Sequence, residues 1–410
     1  MAYPTVVALD TDGTIWENYL DSKRWGKGAR AQVKIEDNID RVDRRLLRDK
    51  TNHAFWIRIH NEISMVVTDI LKHGAKLAIV SRNPSKALSD RALYYFKTIN
   101  PKDNKEYGII HLVNYDEVKN ETKILPFNRI HGWSKSDYQD MLMFDDEAFN
   151  NCVRIHLGVS FQFIRDKKKG LTWASYQEGL KAWRRSKNLS IAPSPGFVPR
   201  RELIGFSGLP TYWINLVNRR EGTVETKVPY RWGFALYVAD NIEIAKYFSG
   251  WNGNFVPDVK SYVCEVWTKD YDAWMRLNKI WVPEHSGALM QMNNMHWSAE
   301  QTGKNQEDRD HTIATNWHVY APYVLFSQHH WMKGMPGQPK QRWPEMVVYT
   351  QIQRSLIEIV QLSTDALKKV ANHQPHPFHR QFKTWHITAP PPTRQEFLKY
   401  GEKDVYKLSA

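Results

Sequence analysis

This sequence contains little cysteine. It also lacks a long apolar run, and its first residues do not have the pattern of a secretory signal peptide. Only Cys152 and Cys264 occur among 410 residues, and they lie far apart. Two such cysteines argue against a disulfide framework or a cysteine metal cluster, and they favour a reducing compartment such as the cytoplasm. Because no apolar run approaches about 20 residues, we expect no membrane span. The opening MAYPTVVALDTDGT lacks the basic flank and unbroken apolar stretch of a secretory signal.

Acidic residues are outnumbered by basic ones, which leaves a formal net charge of +13, and tryptophan is abundant, with 17 residues. Cations neutralise phosphates and aromatic rings stack on bases, so this balance keeps nucleic acid open as a partner. The densest basic run lies between residues 165 and 187. A solvated helix face is the simpler interpretation of that run.

The first half of the chain alternates strand and helix patterns. Short apolar runs typical of parallel strands buried on both faces lie at residues 4–10, 76–80, 141–144 and 159–164. Apolar residues at helical spacing predict helices over 56–73 and 85–98. The alternation predicts an α/β fold with a doubly wound parallel sheet, in which ligands bind beyond the carboxyl ends of the strands.

The length of the chain predicts two domains. Prolines, glycine and serines interrupt the periodic pattern at 187–200, where we place a linker. The expected domains are therefore residues 1–186 and an α+β domain at 201–410.

Acidic residues follow two of the predicted strands in the first domain. Asp10 and Asp12 come directly after the first strand, and Asp145 and Asp146 follow the third. One carboxylate of such a pair can attack phosphorus, and a second can move the proton. Several anions beside an anionic phosphate require a hard divalent cation, and Mg²⁺ fits that need.

Two further residue types complete a phosphoryl-transfer site. Ser81 ends the second strand, where its hydroxyl could bind a phosphoryl oxygen. A lysine could neutralise the phosphate and the developing charge. Lys123 is the favoured candidate, and Lys135 is its rival because it lies nearer to the Asp145–Asp146 pair in sequence.

These motifs resemble those of the haloacid dehalogenase superfamily, and in detail those of its magnesium-dependent phosphatase family. The resemblance covers about residues 4–185. The matching elements are Asp10-Thr-Asp12-Gly-Thr14 with Trp16, Ser81-Arg82, Lys123 through Phe127, Phe144-Asp-Asp-Glu147, Asn150, and Leu157-Gly-Val159. Gly13 departs from the aromatic residue usual in that family, whereas glycine is common in the wider superfamily.

The resemblance implies a role for each matching residue. Asp10 would be the nucleophile and Asp12 the acid and base. The groups that bind the substrate phosphate would be Ser81, Arg82 and Lys123. The magnesium ligands would be Asp10, the Asp12 carbonyl, Asp145 and Asp146. The segment 17–55 could be a small cap that governs the choice of phosphorylated substrate, whether small molecule, protein or nucleic-acid end.

The second half has one weaker resemblance, to ADP-ribosyltransferase-like domains. Residues 232–248 predict a strand and a helix capped by Asp240 or Asn241. Tyr237 would occupy the place of the tyrosine that stacks on nicotinamide, and Glu345 that of the late catalytic glutamate. Ser207 or Phe206 stands where such domains carry histidine or arginine. A core tyrosine in an ordinary strand–helix unit explains the same pattern.

The sequence therefore predicts a magnesium-dependent phosphatase that acts through an aspartyl-phosphate and carries a C-terminal recognition domain. One alternative is a bifunctional phosphatase and ADP-ribosyltransferase-like protein acting on nucleotide or RNA ends. The other is a nucleic-acid- or protein-binding module built on a scaffold phosphatase fold.

Overall fold

The computed structural model describes residues 2–187, 198–219, 231–252, 259–283, 298–329, 343–370 and 376–399. The chain divides into two compact units, Met1–Arg185 and Ser186–Ala410. Most of the linker predicted at 187–200 lies outside the described residues, so it stays a prediction. Among the described residues, no helix combines the length and apolarity needed to cross a membrane.

The first unit contains eleven strands and five helices in its described residues. The strands are β1 (Val6–Leu9), β2 (Trp16–Glu17), β3 (Ile39–Arg41), β4 (Leu46–Asp49), β5 (Trp56–Ile59), β6 (Lys76–Ser81), β7 (Lys97–Asn100), β8 (Lys105–Gly108), β9 (Tyr115–Val118), β10 (Met141–Asp145) and β11 (Ser160–Phe163). The helices are α1 (Ile63–Lys72), α2 (Lys86–Tyr95), α3 (Ile124–Ser134), α4 (Cys152–Leu157) and α5 (Trp173–Lys187).

The central sheet of this unit has the order β11-β10-β1-β6-β9, and all its neighbours are parallel. Strand β1 lies in the middle of the sheet. The next two strands along the chain, β6 and β9, lie on one side of it, and the last two, β10 and β11, lie on the other side. This order confirms the doubly wound α/β fold. The direction of winding reverses between β1 and β10, and open sheets of this kind form their ligand crevice at such a switch point.

Two helix predictions were too long. The helix predicted over 56–73 begins at Ile63, because residues 56–59 form strand β5 instead. Ile57 and Ile59 alternate with less buried neighbours there, which is the period of a strand. The helix predicted over 85–98 ends at Tyr95 and is followed by the β7–β8 hairpin.

The segment 17–55, predicted to be a small cap, contributes to a four-stranded antiparallel sheet with the order β2-β5-β4-β3. Its buried side chains, among them Leu20, Trp25 and Leu47, belong to the same apolar core as Val7 and Leu9 of β1. The segment is thus an extension of the first unit's core, and it begins beside the end of β1.

The second unit contains seven strands and seven helices in its described residues. The strands are β12 (Glu202–Pro210), β13 (Leu236–Ala239), β14 (Ser261–Thr268), β15 (Asn278–Trp281), β16 (Tyr323–His329), β17 (Trp343–Val348) and β18 (Ile357–Gln361). The helices are α6 (Thr211–Arg219), α7 (Ile242–Asn252), α8 (Tyr271–Arg276), α9 (Ala299–Trp317), α10 (Thr350–Leu356), α11 (Thr364–Lys369) and α12 (Pro391–Lys399).

These strands form one sheet with the order β15-β16-β17-β13-β12-β14-β18, in which only the β15–β16 pair is parallel. The α+β architecture agrees with the sequence prediction. Within the predicted strand–helix unit, Asn241 Oδ1 accepts a hydrogen bond from Glu243 N at 2.8 Å at the start of α7. Asp240 instead accepts one from Phe378 N at 3.0 Å.

Candidate active site

The carboxyl ends of three adjacent strands bring the predicted acids and the serine to one edge of the central sheet. Asp10 follows β1, Asp145 ends β10, and Ser81 ends β6. Asp10 N donates to Phe144 O at 3.0 Å, which continues the β1–β10 ladder and fixes the backbone of Asp10 beside Asp145. Parallel pairing in register is therefore what assembles residues that are far apart in the chain.

Lys123 lies between two of these acids. Its Nζ donates to Asp10 Oδ1 at 2.7 Å and to Asp145 Oδ2, and the lysine exposes 1% of its surface. Burial raises the pKa of Asp10 to about 7 and that of Asp145 to about 6, while the Lys123 ammonium opposes both rises. Burial alone would lower the pKa of Lys123, but the two carboxylates outweigh it and hold that pKa above its ordinary value.

The rival lysine occupies a different place. Lys135 is exposed and forms the left-handed C-cap of α3. Lys123 immediately precedes the same helix at its other end. The structure therefore brings Lys123, and not Lys135, into contact with Asp10 and Asp145.

Asp145 is held by two further donors. Glu147 N donates to its Oδ1 at 2.8 Å, and Asn150 Nδ2 lies 3.0 Å from each of its oxygens. These contacts give a structural reason for the Asn150 that follows the Asp-Asp-Glu motif. They fix the plane of a carboxylate that faces Asp10 across Lys123.

Asp146 is the third acid of the site, beside Asp10 and Asp145. Burial raises its pKa, and the neighbouring Asp145 charge adds to the rise. Lys167 Nζ lies 2.8 Å from Asp146 Oδ2 and also pairs with Glu147. Lys167 belongs to the basic run, and nothing in the spacing of that run predicted its contact with an active-site acid.

Gly13 is required by this packing. Its φ is +72°, and a Cβ placed there would lie 2.4 Å from Asp146 Oδ2. A larger residue would therefore push against the acid as well as strain the backbone. The close approach of Asp146 to Gly13 explains why this chain has glycine where the family usually has an aromatic residue.

Asp12 accepts hydrogen bonds from three donors. Trp16 Nε1 and Leu20 N donate to its Oδ1 at 2.7 and 3.0 Å, and Asn83 Nδ2 donates to its Oδ2 at 2.8 Å. Burial raises the pKa of Asp12, and these three hydrogen bonds oppose the rise. Trp16, which belongs to the first sequence motif, thus contacts Asp12 directly. Sequence reasoning missed Asn83, whose only signal was its place two residues after Ser81.

Ser81 and Arg82 lie at the end of β6. Ser81 Oγ is 2.6 Å from Thr11 Oγ1 and accepts from Asn83 N at 3.2 Å, so its hydroxyl is turned toward the loop that carries Asp10. Arg82 is partly buried, and its guanidinium lies over the Phe149 ring at 5.1 Å from the centroid.

A divalent cation fits among the three acids. Ligand oxygens of Asp10, Asp145 and Asp146 all lie within 4.8 Å of one another, and all three residues are buried. An all-oxygen set of this kind suits a hard cation such as Mg²⁺. Lys123 and Lys167 also place positive charge beside these acids.

The residues singled out in the second unit lie near one another, but their polar atoms have partners within the unit. Tyr237 and Glu345 share one face of the β13–β17 pair, since Ala239 is opposite Glu345 in the register. The Tyr237 hydroxyl donates to Gly233 O at 3.0 Å and accepts from Trp232 N at 2.6 Å.

Glu345 and Ser207 are similarly engaged. Glu345 Oε1 accepts from Trp232 Nε1 at 2.9 Å and pairs with the buried Arg231. Ser207 Oγ donates to the Tyr237 carbonyl at 2.7 Å. Ser207, one of the two residues proposed to stand at the histidine or arginine position, therefore has its hydroxyl bonded to the neighbouring strand.

Comparison with known proteins gives matches for the first unit. Residues 2–186 match the model of the family described as Acid Phosphatase. A Saccharomyces cerevisiae protein named as a magnesium-dependent phosphatase is 27% identical over 186 residues, which cover 43% of this chain and 96% of that protein. A HAD-like hydrolase superfamily protein of Schizosaccharomyces pombe is 28% identical over 174 residues, covering 42% and 92%.

One solved structure, the N-terminal part of a Bacteroides fragilis protein containing a phosphatase domain complexed with Mg, is 18% identical with a TM-score of 0.28. The match covers 43% of this chain and 40% of that chain.

The doubly wound sheet brings the acids and a buried lysine together at its switch point, which is the arrangement expected of a hydrolase of the haloacid dehalogenase type. The family match over residues 2–186 and the two relatives confirm the predicted resemblance of the first unit to the phosphatases of that superfamily, which are phosphoric monoester hydrolases.

Proposed function

We propose that this protein hydrolyses a phosphate monoester with the help of magnesium, through an aspartyl-phosphate formed on Asp10. The observation that carries the proposal is the position of Asp10. It follows the central strand, lies 2.7 Å from the Lys123 ammonium, and shares a buried cluster with two further acids. A nucleophilic carboxylate needs a positive partner to receive the phosphate's charge, and this arrangement supplies one.

In the first step, an Asp10 carboxylate oxygen attacks phosphorus while the bond from phosphorus to the leaving oxygen breaks. Asp12 gives its proton to that oxygen, so the alcohol leaves neutral. In the second step, Asp12 takes a proton from water, the water oxygen attacks phosphorus, and the bond from phosphorus to Asp10 breaks. Inorganic phosphate is released, and both aspartates return to their starting states.

Other residues of the site bind and position the phosphate. Lys123 holds Asp10 and offers charge to the phosphoryl oxygens, while Ser81 and Arg82 lie at the same sheet edge to bind them. Asp10, Asp145, Asp146 and the Asp12 carbonyl would hold Mg²⁺. When bound, Mg²⁺ offsets the negative charge of the acids and of the phosphate.

The test is cleavage of p-nitrophenyl phosphate by the full chain. We expect turnover with Mg²⁺, loss of turnover in EDTA, and recovery when Mg²⁺ is added in excess. Turnover that is equally fast in EDTA would contradict the magnesium requirement, and no turnover with any phosphate monoester would contradict the function.

Stabilisation by Mg²⁺ should increase with pH. Because burial raises the pKa values of Asp10 and Asp145 to about 7 and about 6, these acids favour folding below about pH 4, and that contribution is lost as pH rises through 6 to 7. Protons and metal compete for the same oxygens. We therefore expect a larger Mg²⁺-induced rise in melting temperature at pH 8 than at pH 5, measured by thermal unfolding. An equal rise at both pH values would contradict the assignment of these ligands.

For the second unit we propose a role in recognising the substrate or a partner. The ion pair between buried Arg231 and Glu345 does not favour ADP-ribosyl transfer, because it engages the candidate catalytic glutamate within the unit. Incubation of the full chain with labelled NAD⁺ would detect that activity directly. Binding of RNA or DNA that falls steeply with salt would instead favour the nucleic-acid alternative.

A further inference from the structure

Asn83 connects the acid–base residue to the segment 17–55. It lies two residues beyond the end of β6 and exposes 5% of its surface. Its Nδ2 donates both to Asp12 Oδ2 at 2.8 Å and to the Leu20 carbonyl at 2.9 Å. Leu20 N in turn donates to Asp12 Oδ1 at 3.0 Å. A single side-chain amide therefore binds the carboxylate and the peptide that packs against it.

The orientation of this amide is determined by its surroundings. Asn83 Oδ1 accepts from Ser85 N at 2.8 Å. Reversing the amide would set Nδ2 against that N–H and would set Oδ1 against the Asp12 carboxylate and the Leu20 carbonyl. Only the observed orientation pairs each donor with an acceptor. Ser85 is itself fixed as the N-cap of α2, so the amide is anchored to a helix.

These contacts distinguish the two oxygens of Asp12. Oδ1 accepts two hydrogen bonds, from Trp16 Nε1 and Leu20 N, whereas Oδ2 accepts one, from Asn83. A carboxylate oxygen offers about two acceptor directions. The direction that remains on Oδ2 is the one available for a proton, and the Asn83 amide determines where it points.

We propose that Asn83 is a positioning residue for the acid step, holding Asp12 so that Oδ2 presents its proton to the leaving oxygen. The inference rests on the proposed phosphatase chemistry. It predicts that Asn83 matters most when the leaving group needs a proton and least when it departs readily as an anion.

The experiment compares the full-length wild type with Asn83→Ala on two aryl phosphates. Phenyl phosphate has a basic leaving group that needs protonation, and 2,4-dinitrophenyl phosphate has one that does not. We expect kcat/KM for phenyl phosphate to fall by about 100-fold and that for the dinitrophenyl ester by less than about fivefold. The ratio of the two values is independent of the fraction of folded enzyme, so partial misfolding does not obscure the result.

Asn114→Ala is the matched control. Asn114 Oδ1 accepts from Leu77 N at 3.0 Å near the amino end of β6, at the opposite end of the strand from the site. This variant should leave the ratio unchanged. An equal loss on both esters in Asn83→Ala, or no loss on either, would overturn the positioning role. If the wild type cleaves neither these two esters nor any other phosphate monoester, the proposed function itself fails.

Discussion

Replacing Asp10 with asparagine is expected to lower the turnover of p-nitrophenyl phosphate by at least about 10⁴-fold, because a neutral amide cannot attack phosphorus. Asparagine has the same shape and no charge to bury. At pH 5, where the raised pKa of Asp10 keeps its carboxyl largely neutral, the variant should therefore unfold at nearly the same temperature as the wild type in EDTA.

Asp103→Asn provides the matched control for this substitution. Asp103 lies in the exposed turn of the β7–β8 hairpin, and the same chemical change there should leave turnover unaffected. If Asp10→Asn kept a substantial share of wild-type turnover, Asp10 would not be the nucleophile.

Replacing Lys123 with methionine is expected to impair both activity and stability. Turnover should fall by about 10³-fold, because the phosphate would lose a buried positive partner. Breaking a buried ion pair costs about 3–5 kcal/mol of unfolding free energy. Since Lys123 opposes the raised pKa values of Asp10 and Asp145, its loss lets both acids take up protons more readily. The stability loss should therefore be small at pH 5 and approach the full cost near pH 8 in EDTA.

Denaturant unfolding at the two pH values measures this loss. Lys119→Met is the control, since Lys119 precedes Lys123 by four residues and lies exposed beside Glu121. It should change the unfolding free energy by no more than about 0.5 kcal/mol. A stability loss in Lys123→Met that does not vary with pH would contradict the charge balance assigned to the buried acids.

The residues at the carboxyl edge of the central sheet could be predicted from sequence, because the end of each strand is marked by a local pattern of apolar residues followed by a polar one. Asp10, Ser81 and Asp145 each follow a short apolar run, and the rule that ligands bind beyond the carboxyl ends of parallel strands brings them together. Lys123 does not follow a short apolar run of this kind, so the strand pattern does not place it at the sheet edge. Sequence distance favoured Lys135 as a rival, and only the fold shows which lysine contacts Asp10.

Contacts that depend on tertiary structure could not be predicted in this way. The hydrogen bonds of Asn83 and the ion pair of Lys167 join loops that follow different strands. Strand β5 was mistaken for part of a helix, because Ile59 precedes Ile63 of α1 by four residues, a spacing that also suits a helix. In the second unit, the architecture depends on antiparallel pairing between strands that are far apart in sequence. Local periodicity of apolar residues does not predict which strands pair.

The most direct test of the central claim is to trap the phosphoryl-enzyme. The full chain would be incubated with p-nitrophenyl phosphate and Mg²⁺, quenched with sodium borohydride, digested, and analysed by mass spectrometry. An aspartyl-phosphate is reduced to homoserine, so we predict homoserine at position 10 and unmodified aspartate at position 12. Homoserine at position 12, or turnover without reduction at either position, would contradict the assignment of Asp10 as the nucleophile.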